Sequence, residues 1–310
     1  MIATVTLNPA VDRTLWVRGL KVGDTNRVDH SDMDPGGKGI NMSLVLRECG
    51  ADSVALGFLG GNTGRFVQSY LESRGIATAF VTVKGETRVN IAVQDGTGAP
   101  PTTLHEPGPE ISMEDLRQLG EQIRQVLPKC SFIAFGGSLP PGAPHDVYAT
   151  LINYCQQNGV KAILDADGTV LAAGMAAKPY LVKPNRAEAE RLLGRALRSL
   201  EDAASGAVEI VQRGVSLAVI SLGVKGAVAT DGSEVWHAAP PVLTSKSTVG
   251  SGDSLLAGFA CALEKGAGLG DALRLGVAAG AATAASPGAD LATRQEIEAM
   301  LPQVRLRKLS

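Results

Sequence analysis

The chain is poor in the residues from which many sites are built. Its 310 residues hold four cysteines and four histidines. Cys49, Cys130, Cys155 and Cys261 stand far apart without a C-x-x-C pair, and His30, His105, His145 and His237 are equally scattered. No zinc-ligand spacing is present, and the cysteines read as free thiols of a reducing compartment. An excess of one charge is also missing. With 29 Lys+Arg against 31 Asp+Glu the formal net charge is −2, which excludes the clustered basic surface of a nucleic-acid binder. No apolar run reaches the length of a membrane span, the Ala-rich stretch at 277–285 being too short. The first residues lack the basic-then-apolar order of a secretory signal. The expectation is a cytoplasmic protein that binds neither nucleic acid nor membrane. A hydrophobic fraction of 45% with 19% charged residues excludes disorder and suffices for a large core.

Familiar catalytic strings are missing too. No G-x-G-x-x-G follows the first strand, no G-x-S-x-G elbow occurs, and no G-x4-G-K-[ST] loop is present. These absences argue against a dinucleotide-binding Rossmann unit, an α/β-hydrolase and a P-loop. Glycine is what the chain has in excess: 37 residues, 37/310 ≈ 12%, against a typical ~7%. The glycines cluster at 36–39, 60–61, 136–137 and 250–252. Such clusters mark places where backbone turns sharply or approaches a ligand.

Residues 2–7 read as a strand that ends at Asn8-Pro9. Short alternating stretches at 14–18 and 25–30, and again at 87–94 and 101–106, have no helix between them and read as exposed strands. These two insertions are expected to join into one small lid sheet, built from about 10–35 and 85–106. Elsewhere strands and helices alternate. Strands are expected at 53–59, 77–83, 132–135, 160–165, 180–182, 217–222, 227–230 and 235–237. Helices are expected at 39–49, 64–74, 112–126, 144–157, 186–193, 252–265, 270–285 and 293–301, the third with Ser112 as N-cap and Asp115 three residues on. The pattern predicts an α/β fold: one domain over 1–310, with a mostly parallel central sheet covered by helices on both faces, plus the lid.

Four strings carry chemistry. Ser247-Thr248-Val249-Gly250-Ser251-Gly252-Asp253-Ser254 precedes an apolar helix. Its glycines let successive N–H groups point into one concavity at a helix start, an anion site. Asp253 in the first turn can accept a proton from an attacking hydroxyl, or merely cap the helix. Gly36-Gly37-Lys38-Gly39-Ile40-Asn41 is a second potential anion site with a fixed cation, or a glycine turn with a solvated lysine. Asn8-Pro9-Ala10-Val11-Asp12 follows the first strand, where ligands of open α/β sheets bind; ordinary turn chemistry is the other reading. In Lys183-Pro184-Asn185-Arg186-Ala187-Glu188, Asn185 and Glu188 share a helix face and suit Mg²⁺, or form a capping pattern. Thr87-Arg88-Val89-Asn90, Gly136-Gly137-Ser138-Leu139-Pro140 and Ser221-Leu222-Gly223-Val224-Lys225-Gly226 are lesser strand-end strings.

Together these strings resemble the ribokinase-like sugar kinases, specifically their phosphofructokinase B-type branch. The likeness runs over essentially the whole chain: N-P-A-V-D at 8–12, G-G-K-G-I-N at 36–41, K-G-E-T-R at 84–88, G-S-L-P-P-G at 137–142, K-P-N at 183–185, S-L-G-x-x-G at 221–226 and T-V-G-S-G-D-S at 248–254. The last usually has Ala where Ser251 stands. The resemblance implies ATP-dependent phosphoryl transfer, with Mg²⁺, to a hydroxyl of a sugar phosphate. It implies Asp253 as base, with Gly250, Ser251 and Gly252 holding charge on the transferring group. It places Asp12, Gly37, Lys38, Asn41, Arg88, Asn90 and Ser138 at the sugar phosphate, Lys38, Arg88 and Asn90 on its existing phosphate. Lys183, Asn185, Ser221, Gly223, Gly226, Thr248, Gly280 and Thr283 fall at the nucleotide, and Asn185 and Glu188 at the metal, the latter through water. Lid sheets of this family often pair two copies, and Arg27 would then reach across a homodimer. G-G-K-G-I-N and K-G-E-T-R-V-N look most like the members acting on fructose 1-phosphate. Those acting on tagatose 6-phosphate are the near alternative, ahead of the second type of 6-phosphofructokinase, which usually lacks the lysine. A catalytically silent regulator and a nucleoside kinase are the other readings.

Overall fold

The computed structural model describes residues 1–96, 101–243, 248–286 and 288–310. Ser247, the first residue of the glycine-loop string, lies outside the described residues, as do 97–100 of the lid segment. Ten strands form the main sheet: β1 (Ile2–Thr6), β4 (Ser53–Leu59), β5 (Ala77–Thr82), β8 (Phe132–Gly136), β9 (Lys161–Asp165), β10 (Leu181–Val182), β11 (Leu217–Ser221), β12 (Ala227–Thr230), β13 (Val235–Ala239) and β14 (Arg305–Lys308). Their order is β14-β13-β12-β11-β10-β9-β8-β1-β4-β5, parallel from β11 to β5 and antiparallel from β11 to β14. Successive residues of the central strands serve opposite faces. Ile2, Phe132 and Ala134 face one core cluster, and Ala3, Val5, Ile133 and Phe135 the other. Both faces are therefore buried, as the run of apolar residues in each parallel strand requires.

One core lies under α1 (Lys38–Glu48), α8 (Ser251–Glu264), α9 (Leu269–Ala285) and α10 (Arg294–Met300). The other lies under α3 (Met113–Val126), α4 (Val147–Gln157), α5 (Gly168–Met175), α6 (Arg186–Leu193) and α7 (Leu200–Gln212). A smaller cluster joins α2 (Gly61–Ser73) to Ile40 and to Val11 of the second sheet. That sheet runs β3-β2-β6-β7 from β2 (Ala10–Val17), β3 (Val28–Gly36), β6 (Arg88–Gln94) and β7 (Thr102–His105). The two insertions thus meet in one sheet, β2 lying parallel to β6.

Several expectations need correction. The strands expected at 14–18 and 25–30 are Ala10–Val17 and Val28–Gly36, because buried Ala10 and Val11 extend the pairing back toward β1. Asp12 consequently sits within a strand, not in a turn after β1. Two helices, α5 and α7, and the strand β14 were not expected. α5 starts on a glycine with positive φ and contains another, a poor helical composition overridden by packing of Leu171 and Met175. α7 carries a complete capping box at Ser199 and Asp202.

Candidate active site

The strings gather where the parallel strands end. β1 leads to Asn8, β8 to Gly137 and Ser138, β9 ends on Asp165, β10 leads to Lys183, and β11 ends on Ser221. This C-terminal edge is where open α/β sheets bind ligands, because chain crossovers leave a crevice there. α1 and α8 point their N-terminal ends into it. Gly250, with φ 71°, is in the left-handed region and starts α8 without a side-chain cap. Asp253 follows in the first turn, and Asn41 Nδ2 of α1 donates to its Oδ2 at 2.8 Å.

Asp253 keeps some accessible surface on a cavity of about 670 Å³ that Lys38, Lys183, Asn185, Glu188 and Gly250–Gly252 also line. Protein atoms otherwise surround its carboxyl. This desolvation lifts its pKa to about 6, and Asp165 adds to the rise, while Lys38, Lys183 and the Asn41 bond oppose it. A group that titrates there can accept a proton near neutrality. A residue acting only as a cap would gain nothing from such a setting.

Asp165 was not singled out from the sequence, and it pairs with two lysines that line the cavity. Only 2% exposed, it takes Lys38 Nζ on Oδ1 at 2.7 Å and Lys183 Nζ on Oδ2 at 3.0 Å. Burial opposes its charge, but the two ammonium groups outweigh that and hold its pKa below the usual carboxylate range. The same pairing, with Asp253 nearby, keeps Lys38 protonated against its own burial. Two fixed positive charges therefore flank one carboxylate close to the start of α8. A lone Asp at a strand end gives no sequence pattern, which is why it escaped notice.

The expectation grouped Lys38 with Arg88. The contacts group it instead with Lys183 and Asp165, because Gly136 lets the Lys38 stem cross β8 toward β9; a Cβ there would lie 3.2 Å from that stem. Arg88 belongs to another cluster. Its Nη2 donates to the Asn8 carbonyl at 3.0 Å and to Ser138 Oγ at 3.4 Å, and its Nη1 donates to the Glu106 carbonyl at 3.2 Å. Beside it on adjacent strands, Asn90 Nδ2 donates to Asp12 Oδ1 at 2.8 Å. Asp12 lies over Gly36, where a Cβ would come 2.2 Å from a carboxylate oxygen.

Asn185 and Glu188 form a capping box: Asn185 Oδ1 accepts from the Glu188 N–H at 2.9 Å, and Glu188 Oε2 accepts from the Asn185 N–H at 2.7 Å. Both still line the cavity. Next to it runs an apolar groove of about 450 Å³, sharing Ser221, Gly223, Thr248, Ser251 and Gly252 with it. Gly226 and Gly280 line the groove as expected. Thr283 does not: it is 1% exposed, hydrogen-bonds Ser254 at 2.8 Å and accepts from the Ala292 N–H. It braces the loop from behind. The groove also holds Val224 and Val242, 80% and 99% exposed, the first at an unspecified position of the 221–226 string and the second in no motif. Arg27 stands exposed between β2 and β3.

The family model for pfkB family carbohydrate kinases matches residues 5–296. The chain belongs to that family. The kinase is 37% identical to the 1-phosphofructokinase of Bacillus subtilis, over all of both chains. It is 35% identical to the 1-phosphofructokinase of Borreliella burgdorferi, over all of this chain and 99% of that protein. A crystal structure of phosphofructokinase-2 from Escherichia coli, in complex with substrates and products, superposes with a TM-score of 0.91 at 31% identity, covering 97% of this chain and 98% of that one. The kinase has the ribokinase-like α/β fold, and among its described residues no helix is long and apolar enough to cross a membrane.

Proposed function

We propose that the kinase transfers the γ-phosphoryl group of ATP to the 6-hydroxyl of fructose 1-phosphate, giving fructose 1,6-bisphosphate. The observation that carries the reaction is Asp253, a carboxyl with pKa raised to about 6, at a helix N-terminus on a cavity flanked by Lys38 and Lys183. The names of the full-length relatives carry the choice of sugar phosphate, and Arg88 supplies its cation.

In this reading the apolar groove takes the base of ATP, with Ser221, Gly223, Gly226 and Gly280 along it, and Thr248 and Lys183 lead to the phosphates. Asp12 and Asn90 hold sugar hydroxyls, while Gly37, Asn41 and Ser138 border the sugar. Arg88 faces the existing phosphate, and Lys38 is reassigned to the transferring group. Asp253 takes the proton as the hydroxyl oxygen attacks phosphorus; the bond to the β-phosphate oxygen breaks and ADP leaves. The Gly250, Ser251, Gly252 and Asp253 N–H groups and both lysines hold the charge that gathers on the moving group. Mg²⁺, when bound with ATP, neutralises charge on the nucleotide phosphates. The residues fit an ion that keeps its waters: Glu188 lines the cavity with its Oε2 committed to the cap and Oε1 left over, Asn185 has its oxygen committed to the same cap, and among the described residues no cluster of three acidic, His or Cys groups forms a cage.

Free thiols at all four cysteines support a reducing, cytoplasmic setting. Exposed Val28, Met33 and Leu104 on the lid strands favour pairing of two copies there. The test of the chemistry is Asp253→Asn, which keeps shape and removes the proton acceptor. ADP release should fall by about 10²–10⁴ with ATP binding retained. A near-normal rate would return Asp253 to a capping role.

A further inference from the structure

Three of the described helices begin on a cation: α1 on Lys38, α6 on Arg186 and α10 on Arg294. The positive end of a helix dipole disfavours a cation in the first turn, so each needs a partner that offsets the repulsion. Lys38 has one in Asp165, whose Oδ1 accepts its Nζ at 2.7 Å. Arg294 is received by the C-terminal end of α1: its backbone N–H donates to Glu48 Oε2 at 2.8 Å and its Nε to the Glu48 carbonyl at 3.1 Å. Arg186 differs. Its Nε is shut off from solvent, and among the described residues no acceptor meets it. The carboxylates of its own helix are committed elsewhere, Glu188 Oε2 to the cap and Glu190 Oε1 to the Leu197 N–H at 2.7 Å. Asp167, which also meets this helix, pairs with Arg191 at 2.6 Å. A buried N–H without an acceptor is unfavourable, and the other arginine of α6, Arg191, lies in the last turn, where the dipole favours it.

Arg186 lines the cavity that Asp253, Lys38 and Lys183 also line. The two lysines share Asp165, so among the described residues Arg186 is the one cation of that lining that no carboxylate pairs. Its position follows from the segment before it. β10 leads to Lys183, the Pro184 carbonyl accepts the Ser221 N–H at 3.1 Å, and Asn185 pairs with Ser221 in a parallel bridge. Arg186 comes next. Ser221 belongs to both the apolar groove and the cavity, whereas Arg186 lines the cavity alone. It stands one residue past the place where groove and cavity join, on the polar side of that junction.

We propose that Arg186 binds the diphosphate part of the nucleotide, the two phosphates that leave as ADP. This role rests on the kinase reading above and divides the cations of its cavity: Lys38 and Lys183 hold the moving group, and Arg186 holds what stays behind. As the bond between the γ-phosphorus and the β-phosphate oxygen breaks, its electron pair remains on that oxygen and raises the charge of the departing ADP. The planar guanidinium presents Nε–H and one Nη–H side by side, the fork that meets two oxygens of one phosphate. The phosphate supplies the acceptor that Arg186 Nε lacks in the protein alone, and its charge cancels the repulsion between the guanidinium and the start of α6. A lysine would offer the charge without the fork.

The test titrates ADP with Mg²⁺ into the folded kinase by calorimetry, for the wild type, Arg186→Ala and Arg186→Lys, and follows ADP release at steady state with each. Arg186→Ala should weaken ADP by about ten- to a hundredfold, the range that a charge-assisted bond supplies. KM for ATP should rise with it, while KM for fructose 1-phosphate stays in place. Arg186→Lys should recover part of the ADP affinity. Tm of unliganded Arg186→Ala should hold or rise, because a cation leaves a helix N-terminus. An unchanged ADP affinity in Arg186→Ala, a loss confined to KM for the sugar phosphate, or a fall in unliganded Tm that Arg186→Lys does not reverse would overturn the proposal. A wild type that binds no ADP would overturn the kinase reading and the role of Arg186 together, so the two failures are told apart.

Discussion

Replacing Asn41 by Ala removes the one side-chain hydrogen-bond donor that the described residues place on the Asp253 carboxylate, a bond of 2.8 Å, without touching the carboxylate itself. A hydrogen bond to a charged group contributes about 1.5–3 kcal/mol. At 1.36 kcal/mol per pKa unit this corresponds to about one to two units. Water entering the space restores part of it, so the expected rise is about one unit, from about 6 to roughly 7. The base must be ionised to act, so the acidic limb of kcat/KM for the sugar moves up by that amount. Below pH 6 the variant should lose about tenfold beyond any constant deficit, and near pH 8.5 the extra loss should vanish. The assay is ADP release from pH 5 to 9 at limiting sugar phosphate, wild type and variant side by side. The titration of the sugar phosphate is common to both, so a displaced limb belongs to the enzyme. A limb that stays in place, or moves to lower pH, would refute Asp253 as the titrating base.

Arg88→Ala should lower kcat/KM for the sugar phosphate by about one to two decades, since it removes a charge-assisted partner worth roughly 1.5–3 kcal/mol; steady-state kinetics should show KM for ATP little changed. Asp165→Asn leaves Lys38 and Lys183 without their shared carboxylate and should destabilise the fold by about 3–5 kcal/mol in urea unfolding. Because the folded pKa of Asp165 is depressed, its contribution is full above the ordinary carboxylate value and is lost as pH falls through the folded value, so the stability gap between wild type and variant should shrink on acidification below about pH 4. Gly280→Ala puts a Cβ 2.8 Å from the Ser251 carbonyl; it should cost about 1–3 kcal/mol in thermal unfolding and raise KM for ATP, because the glycine loop must shift.

The alternation of strand and helix was legible because each parallel strand is a short apolar run between turn residues, and the lid because its insertions lack helical periodicity. The glycine loop and Asp253 were legible for a local reason: backbone that cradles an anion at a helix start needs glycine in sequence order. Asp165 was not, since its role is made by Lys38 and Lys183, which come from two other loops and meet only in the fold. The same limit misplaced Lys38 beside Arg88. It also put Thr283 in the nucleotide groove, when the close packing of α9 on α8 turns that residue inward to Ser254. Asp12 was expected in a turn after β1 but lies within β2, because the pairing with β3 and β6 begins as early as Ala10.

The central claim, an ATP-dependent kinase whose acceptor is fructose 1-phosphate, is tested most directly by ADP release against fructose 1-phosphate, fructose 6-phosphate and tagatose 6-phosphate, each over a concentration series with Mg²⁺. The account predicts the highest kcat/KM for fructose 1-phosphate. A higher value for tagatose 6-phosphate would overturn the choice of sugar, and preference for an unphosphorylated sugar or a nucleoside would contradict the role given to Arg88 and with it the account of the site.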